Sequence, residues 1–259
     1  MKKFTKLTAF ALALVMALGL LAGCGGSNSD NSTPSGDDTA KTKLVVATSP
    51  DFPPFESLEG GEVVGIEVDI LNKIAEKMGM ELDIQQMDFD SVIPGVQAGK
   101  FDVGMSGITV TDKRKENVDF SSVYFMAAQA IVVTADSGIT GKADLEGKKV
   151  SVQTGTTAEE YCMGNGYEVL AFTANNDAAA ALTSGKVDAW VVDNEVALAM
   201  APELGLTVLD EAMTSEPYAF AFQKGSELVA PFNEALDALL ADGTVEKLFQ
   251  QYGVTYIAP

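Results

Sequence analysis

One residue in this sequence carries a side chain that its other basic residues cannot replace. Arg114 is the only arginine among 17 basic residues, and the rest are lysines. A planar guanidinium binds a carboxylate through two parallel hydrogen bonds, which the ammonium group of lysine cannot form. Position 114 is therefore a candidate anion-binding position. A surface arginine paired with nearby Asp112 would explain the same observation equally well.

The composition excludes several classes of function. The sequence has no histidine and two cysteines, so Ser-His and Cys-His catalysis and zinc sites with histidine or four cysteines are excluded. A formal net charge of −20 argues against a nucleic-acid partner. With 47% hydrophobic and 21% charged residues, the chain can still bury a sizeable core. We expect neither a cofactor nor a metal ion.

The N-terminal residues have the pattern of a secretory signal. Three lysines precede an apolar run over residues 9–21, and the run ends in Leu21-Ala22-Gly23-Cys24. This ending resembles the lipobox of bacterial lipoproteins, which implies a signal peptide over 1–23 and a lipid with palmitate-like acyl chains on Cys24. An ordinary signal peptide with a chance cysteine remains an alternative. So does an uncleaved anchor, although the run is short of the roughly 20 residues of a membrane span.

Residues 24–42 follow as a predicted flexible tether. They are rich in Ser, Asn, Asp, Gly, Thr and Pro, which cannot bury apolar surface. If Cys24 is lipidated, Cys162 has no partner for an intrachain disulfide. Cys162 is then most simply a small buried residue.

Past the tether, strands alternate with helices. The pattern predicts strands over 43–47, 82–87 and 101–105, a helix from Asp69 to Gly79, and a helix beginning at Asp90. The second half repeats this order, with strands over 130–133, 150–152 and 189–192. Such alternation predicts an α/β fold with parallel sheets and a ligand at the carboxyl ends of the strands.

Two strand ends in the second half carry candidate binding groups. Thr154-Gly155-Thr156-Thr157 leads into a helix predicted to begin at Ala158, and a helix N-terminus favours an anion. Asp193 follows the apolar strand that ends at Val192. It is either a charged site residue or the N-cap of a helix before Glu195.

Seven segments follow the order and spacing of a known family. They are Pro54-Phe55-Glu56, Val64-Gly65-Ile66-Glu67-Val68-Asp69-Ile70, Ile108-Thr109-Val110-Thr111-Asp112-Lys113-Arg114, Asp119-Phe120-Ser121, Asp144-Leu145-Glu146-Gly147-Lys148-Lys149-Val150, Gly155-Thr156-Thr157 and Val187-Asp188-Ala189 with Asp193. Over roughly residues 43–253, the chain resembles the extracytoplasmic amino-acid-binding proteins of ABC importers, the bacterial family 3 solute-binding proteins.

The resemblance implies a two-lobed periplasmic-binding-protein-like fold of the α/β class, whose lobes close on the ligand about two crossover hinge strands. Lobe 1 would comprise residues 43–124 and 219–259, and lobe 2 residues 129–214. The hinges would lie near 124–129 and 215–219.

The resemblance also assigns the charged groups of the site. Arg114 matches the arginine that binds the ligand α-carboxylate, and the backbone N–H of Thr157 would point at the same carboxylate. Asp193 matches the carboxylate that receives the α-ammonium group. Arg114 and Asp193 would thus act from opposite lobes.

Further positions of the family's site match uncharged residues. Gly107 and Thr109 match positions that supply backbone C=O and hydroxyl groups to the ammonium, and Ser106 is adjacent to them. Phe52 and Phe89 match aromatics that sandwich the ligand side chain, although both could simply belong to the core.

The ligand side chain would meet a polar group of residues. Ser49 stands where many relatives that bind polar or cationic side chains have an acidic residue, and Asp51, two residues on, could substitute for it. Gln153 stands where some relatives have lysine, and Gln129 is a further polar candidate. These residues favour glutamine first and arginine or lysine next, with cystine and methionine left open.

The expected protein is therefore a monomeric, lipid-anchored solute-binding protein on the extracytoplasmic face of the membrane. It would deliver a free L-amino acid to an ABC permease and would not be an enzyme. Two alternatives remain: a secreted dehydratase-like enzyme on the same fold, and an amino-acid sensor that acts by docking.

Overall fold

The fold is described from a computed structural model that covers residues 42–259. The predicted signal peptide, Cys24 and all but the last residue of the tether lie outside the described residues. Within residues 42–259, no helix is both long and apolar enough to cross a membrane.

Fifteen strands are present in the described part of the chain. The first eight are β1 (Lys43–Thr48), β2 (Asp51–Phe52), β3 (Glu56–Glu59), β4 (Glu62–Val64), β5 (Glu81–Gln86), β6 (Val103–Gly104), β7 (Val118–Phe120) and β8 (Phe125–Ala127). The others are β9 (Gln129–Val133), β10 (Lys149–Gln153), β11 (Glu168–Phe172), β12 (Ala189–Asp193), β13 (Thr207–Val208), β14 (Glu216–Tyr218) and β15 (Ala221–Gln223).

Eight α-helices alternate with these strands over residues 42–259. They are α1 (Ile66–Met78), α2 (Phe89–Gln97), α3 (Asp112–Lys115), α4 (Thr157–Gly164), α5 (Asn175–Thr183), α6 (Asn194–Met200), α7 (Val229–Ala241) and α8 (Thr244–Gln251). Two short 3₁₀ helices cover Lys142–Leu145 and Pro202–Leu204.

The strands form two five-stranded sheets, one in each lobe. The first has the order β5-β1-β6-β15-β7 and the second the order β11-β10-β12-β9-β13. In the first, β1 runs parallel to β5 and β6, whereas β15 runs antiparallel to β6 and β7. In the second, β10 runs parallel to β11 and β12, whereas β9 runs antiparallel to β12 and β13. The prediction of purely parallel sheets is therefore wrong for both, because chain segments that pass between the lobes enter each sheet in the opposite direction.

The chain passes between the two sheets at one paired crossing. Strands β8 and β14 form a small antiparallel sheet in which Phe125 lies opposite Tyr218 and Ala127 opposite Glu216. Every strand of the first large sheet lies within 43–124 or 219–259, and every strand of the second within 129–214. The hinge and lobe boundaries themselves stay predictions.

The start of α1 differs from the predicted one. The helix begins at Ile66, three residues before Asp69, and ends as predicted at Gly79, which adopts a left-handed conformation with φ 67°. Gly65 precedes the helix at φ 142°, and a Cβ there would lie 2.1 Å from the carbonyl oxygen of Phe55. Only glycine permits this close approach, so the chain enters α1 directly against residues 54–56.

The core supports the expected character of Cys162. Its side chain is fully buried in a hydrophobic cluster of the second lobe, with Val150, Val152 and Ala158 among the members. Burial raises the pKa of the thiol to about 12, so it stays protonated and unreactive.

Candidate functional site

Most of the predicted site residues line one cavity between the two lobes. Only about 20 Å³ of it can hold the centre of a water-sized sphere. Its lining residues are Phe52, Phe89, Ser106, Gly107, Thr109, Arg114, Gln153, Thr156, Thr157, Ala158, Asn175, Val191, Val192 and Asp193. Nine of the predicted residues line it, and Ser49, Asp51 and Gln129 lie directly behind the lining. Eight of the fourteen lining residues are polar or charged, which suits a small polar solute.

Arg114 reaches across the cleft from the first lobe. Its backbone is fixed in α3, where Arg114 N donates to the capping hydroxyl of Thr111 at 3.1 Å. Its Nη1 donates to the carbonyl of Thr109 at 2.9 Å, and its Nη2 donates to the carbonyl of Gly155 in the second lobe at 3.1 Å. The guanidinium carbon also lies 5.6 Å from the centroid of the Phe89 ring.

These contacts argue against the explanation of the lone arginine as a surface partner of Asp112. The guanidinium lines the cavity, and Asp112 pairs instead with Lys115 at 3.4 Å. Burial lowers the pKa of Arg114, while the carboxylates of Glu160, Glu216 and Asp193 act in the opposite direction. An arginine remains charged despite such a shift, so the cavity contains a fixed positive charge.

The N-terminus of α4 lies beside the guanidinium. The helix begins at Thr157, one residue before the predicted start, because Thr156 is the N-cap and its hydroxyl accepts from Glu159 N at 3.2 Å. The same hydroxyl donates to the carbonyl of Gln153 at 2.7 Å. The first N–H groups of the helix therefore belong to residues that line the cavity and add to its preference for an anion.

Asp193 supplies the opposite charge from the second lobe. It is the last residue of β12 and is 6% exposed. Its carboxylate accepts hydrogen bonds from Gln129 Nε2 and from the hydroxyl of Tyr218. Asp193 also occupies the N-cap of α6, but its side chain makes no capping bond. The carboxylate is thus aimed at the cavity and its two donors.

The electrostatic state of Asp193 depends on its surroundings. The pKa of its carboxyl is raised to about 7, mainly by burial and also by the nearby charge of Glu216. Hydrogen bonds from Tyr218 and Gln129 and the charge of Arg114 oppose this shift. A cation beside the carboxylate would favour its ionised form, so the site is able to receive an ammonium group.

A strained turn brings backbone groups to the same cavity. Ser106 has φ 151° and Gly107 has φ 53°, and Gly107 N donates to Glu67 Oε2 at 3.0 Å. A Cβ at Gly107 would lie 2.5 Å from the Phe52 ring, so only glycine fits between the turn and this aromatic wall. Thr109 is 4% exposed and lines the cavity two residues further along.

The aromatic walls belong to the cavity and to the core at once. Phe52 and Phe89 are each 8% exposed and both line the cavity. Phe52 packs 5.7 Å from Phe55 in the largest hydrophobic cluster, and Phe89 belongs to a cluster with Val92 and Ile108. Their exposed faces therefore bound the cavity while their other faces stabilise the lobe.

A second polar group, which we call the amide network, comprises Ser49, Asp51, Gln153 and Asn175. Asp51 Oδ2 accepts from Asn175 N at 2.7 Å and from Gln153 Nε2 at 3.3 Å, and Asp51 Oδ1 accepts from Ser49 Oγ at 3.0 Å. Asn175 Nδ2 donates to Gln153 Oε1 at 3.0 Å. Burial raises the pKa of Asp51, and these hydrogen bonds lower it. The network joins the lobes and presents two amides, Gln153 and Asn175, to the cavity.

Sequence reasoning missed several residues of the site. Asn175, Thr156, Ala158, Val191 and Val192 also line the cavity. Asn175 comes three residues after β11 ends at Phe172, so the rule of ligands at strand ends could have indicated it. Tyr218 and Glu216 could not be found in this way, because they reach Asp193 only through the crossing of β8 and β14.

The chain is similar to known proteins over most of its length. Residues 44–255 match the family model described as bacterial extracellular solute-binding proteins, family 3. The chain is 36% identical to an arginine-binding extracellular protein, ArtP, of Bacillus subtilis, over 90% of this chain and 92% of that one.

Two solved structures share the fold. An ancestral arginine-binding protein bound to glutamine is 41% identical, with a TM-score of 0.78 over 82% of this chain and 98% of that one. The ancestral amino-acid-binding protein AncCDT-1, a precursor of cyclohexadienyl dehydratase, is 36% identical, with a TM-score of 0.76 over 82% and 95%. The predicted two-lobed periplasmic-binding-protein fold is confirmed, and the chain belongs to family 3 of the bacterial extracellular solute-binding proteins.

Proposed function

We propose that the protein captures a free α-amino acid between its lobes and delivers it to an ABC permease. The observation that carries this proposal is that Arg114 of the first lobe and Asp193 of the second line the same cavity. A zwitterion needs both charges close together, and burying either end without a partner would be strongly unfavourable. Binding then stabilises the arrangement in which the two lobes meet.

The polar amides suggest the class of side chain. Gln153 and Asn175 offer both donors and acceptors to the cavity, which suits the amide of glutamine. Asp51 lies one hydrogen bond behind them and is a half-buried acidic group, which suits the cationic side chain of arginine. We therefore keep glutamine as first choice and arginine as second, with lysine next.

Thermal unfolding against the twenty amino acids tests the proposal. A ligand that binds only the folded protein raises the melting temperature by mass action. We expect glutamine or arginine to give the largest rise, and calorimetric titration to give one ligand per chain. If none of the twenty changes the melting temperature, the proposal is wrong.

We further propose that the lipid on Cys24 retains the protein at the extracytoplasmic face of the membrane. The family description supports an extracellular location, and a pair of acyl chains binds a bilayer far more firmly than one chain does. Cells expressing wild type should keep the protein in the membrane fraction and incorporate a labelled fatty acid into it. Cys24→Ala should lose both, with Cys162→Ala as the matched control that keeps both.

A secreted enzyme is the second candidate function. One observation favours it: the pKa of Asp193, about 7, is the value that a general acid or base needs near neutral pH. Mass spectrometry of glutamine, arginine and cyclic carboxylic acids incubated with the protein decides between the two. We expect every solute to be recovered unchanged, and a converted product would favour the enzyme.

Transport and sensing share the same binding chemistry and differ only in the docking partner. A strain that lacks this protein should lose uptake of labelled ligand, and expression of the full chain should restore it. Normal uptake in the deletion strain would favour a sensor.

A further inference from the structure

Two fully buried glutamates lie behind the turn that lines the cavity. Glu56, at the start of β3, and Glu67, in the first turn of α1, are each 0% exposed. Gly65 brings them together, because Ile66 N donates to the carbonyl of Pro54 at 3.0 Å and Glu67 N to that of Phe55 at 3.1 Å. Neither glutamate lines the cavity, so both act on a ligand only through other residues.

Glu67 is surrounded by hydrogen-bond donors. Its Oε2 accepts from Gly107 N at 3.0 Å, and its Oε1 accepts from the hydroxyl of Tyr124. A carboxyl group that accepts on both oxygens is best suited to the ionised form. Glu67 therefore holds Gly107 in place as a charged acceptor.

Glu56 has the opposite surroundings. Among the described residues, neither of its carboxyl oxygens accepts a hydrogen bond of ordinary geometry. The pKa of Glu56 lies well above its usual range, because burial and the charge of Glu67 raise it more than the hydroxyl of Ser106 lowers it. A carboxyl in this position stays protonated and needs an acceptor for its O–H, and Glu67 is within hydrogen-bonding reach.

The Ser106–Gly107 turn has an unfavourable backbone conformation that its neighbours must stabilise. Ser106 has φ 151°, which a residue with a side chain rarely adopts. Its Oγ accepts from Ser49 N at 2.8 Å and lies 3.1 Å from Thr48 Oγ1, which fixes one side of the turn to β1 and the loop after it. The bond from Gly107 N to Glu67 fixes the other side.

We propose that Glu56 and Glu67 form an acid–carboxylate pair that shares one proton and holds the Ser106–Gly107 turn in its ligand-binding shape. Both are positioning residues, and the inference rests on the proposed function for the identity of the ligand. Besides Glu67 on α1, the groups facing Glu56 are Asp51 on β2 and the hydroxyl of Ser106. Tyr124 faces Glu67 from the segment between β7 and β8.

Infrared difference spectroscopy tests the proton directly. Near neutral pH, the spectrum of wild type minus that of Glu56→Gln should contain the C=O stretch of a protonated carboxylic acid. Glu59→Gln, an exposed acid at the end of the same strand, is the matched control and should keep the band. An unchanged spectrum in Glu56→Gln would overturn the proposal.

Ligand affinity tests the positioning role. Glu56→Leu leaves Glu67 without the shared proton and should weaken glutamine binding by roughly tenfold, the effect of one hydrogen bond to a charged group. Glu56→Gln supplies an N–H donor and should restore most of that loss. Because Glu56 can ionise and glutamine cannot, the ratio of wild-type to Glu56→Gln affinity should fall once the pH is high enough to ionise Glu56, and it should not rise at any pH. A ratio that rises with the pH contradicts the proposal.

If Glu56→Leu does not fold, the pH dependence of the melting temperature provides a second test. Because the folded pKa of Glu56 lies above its unfolded value of 4.5, wild type takes up a proton on folding and loses stability as the pH rises above 4.5. The melting temperature of Glu56→Gln minus that of wild type should therefore increase from pH 5 to pH 8, and a constant difference would contradict the pair. Failure of the proposed function would appear separately, as a wild type that binds no amino acid.

Discussion

The charged pair, Arg114 and Asp193, and the amide network lie at one cavity but are built differently. Each member of the charged pair is fixed by neighbours that cannot vary in charge: the carbonyls of Thr109 and Gly155 for Arg114, and Gln129 and Tyr218 for Asp193. The amide network consists of side chains that bond mainly to one another. Under the proposed function, the charged pair would therefore demand an α-amino acid, and the network would select among side chains.

This contrast makes different predictions for the two groups. Changes in the charged pair should weaken all amino acids alike. Changes in the network should alter the order of preference and leave the binding of α-amino acids as a class intact.

The largest effect is expected for Arg114→Ala. Without the guanidinium, which can donate two parallel hydrogen bonds, the α-carboxylate is buried without its main partner. Affinity should therefore fall by roughly 100-fold or more for glutamine and arginine alike. Calorimetric titration measures this, with Lys115→Ala, an exposed neighbour on the same helix, as the control. A loss confined to one of the two ligands would contradict the role of Arg114.

The pH dependence of ligand affinity tests whether Asp193 binds the α-ammonium group. Its pKa is raised to about 7, and an ammonium group favours the ionised form, so affinity should fall by about tenfold per pH unit below 7. Titrations in buffers of different ionisation enthalpy should show one proton released per ligand at pH 6. In Asp193→Asn affinity should be weaker throughout and nearly constant from pH 6 to 8. A wild type without this dependence would show that Asp193 does not meet the ammonium.

The same residue affects the stability of the ligand-free fold in the opposite sense. Its folded pKa lies above the unfolded value of 3.8, so the free energy of unfolding should decrease as the pH rises from about 4 to 7. Asp193→Asn removes this contribution and should unfold at a higher temperature than wild type at pH 7. Differential scanning calorimetry without ligand measures the difference. A lower melting temperature for Asp193→Asn than for wild type would contradict the claim that the buried carboxylate destabilises the ligand-free fold.

A smaller and selective effect is expected for Asp51→Asn. Removing the half-buried negative charge should weaken arginine binding by roughly five- to tenfold and change glutamine binding little, because only arginine carries a cationic side chain. Asp88→Asn, an exposed acid on the same lobe, serves as control for a general charge effect. Equal losses of affinity for both ligands would show that Asp51 does not discriminate between their side chains.

The smallest effect is expected at the outer edge of the cleft. Lys113 pairs with Glu160 across the lobes, but their side chains are 75% and 51% exposed. Such a pair contributes little in water, so Lys113→Ala should change affinity by less than about fivefold. A loss comparable to that of Arg114→Ala would mean that closure depends on surface charges rather than on the buried groups.

A site residue could be predicted from the sequence only when its signal is local along the chain. Arg114, Thr157 and Asp193 follow local signals, which are a unique side chain, a helix start and a strand end. Asn175 and Tyr218 enter the site through contacts between distant segments, which local pattern does not contain. The direction of β15 and of β9 was also missed, because it depends on where the chain crosses between lobes.

The position of α1 shows the same limit at smaller scale. Asp69 has the side chain of a helix cap, but the helix starts at Ile66 because Gly65 packs onto Phe55. Tertiary contact overrides local capping preference there. That early start is also what places Glu67 against Gly107.

A crystal structure of the protein with bound glutamine tests the central claim most directly. We expect the α-carboxylate of the ligand to contact the guanidinium of Arg114 and the N-terminus of α4, and the α-ammonium group to contact Asp193. The ligand side chain should point toward Gln153 and Asn175. A ligand bound in the reverse direction, or outside this cavity, would contradict it.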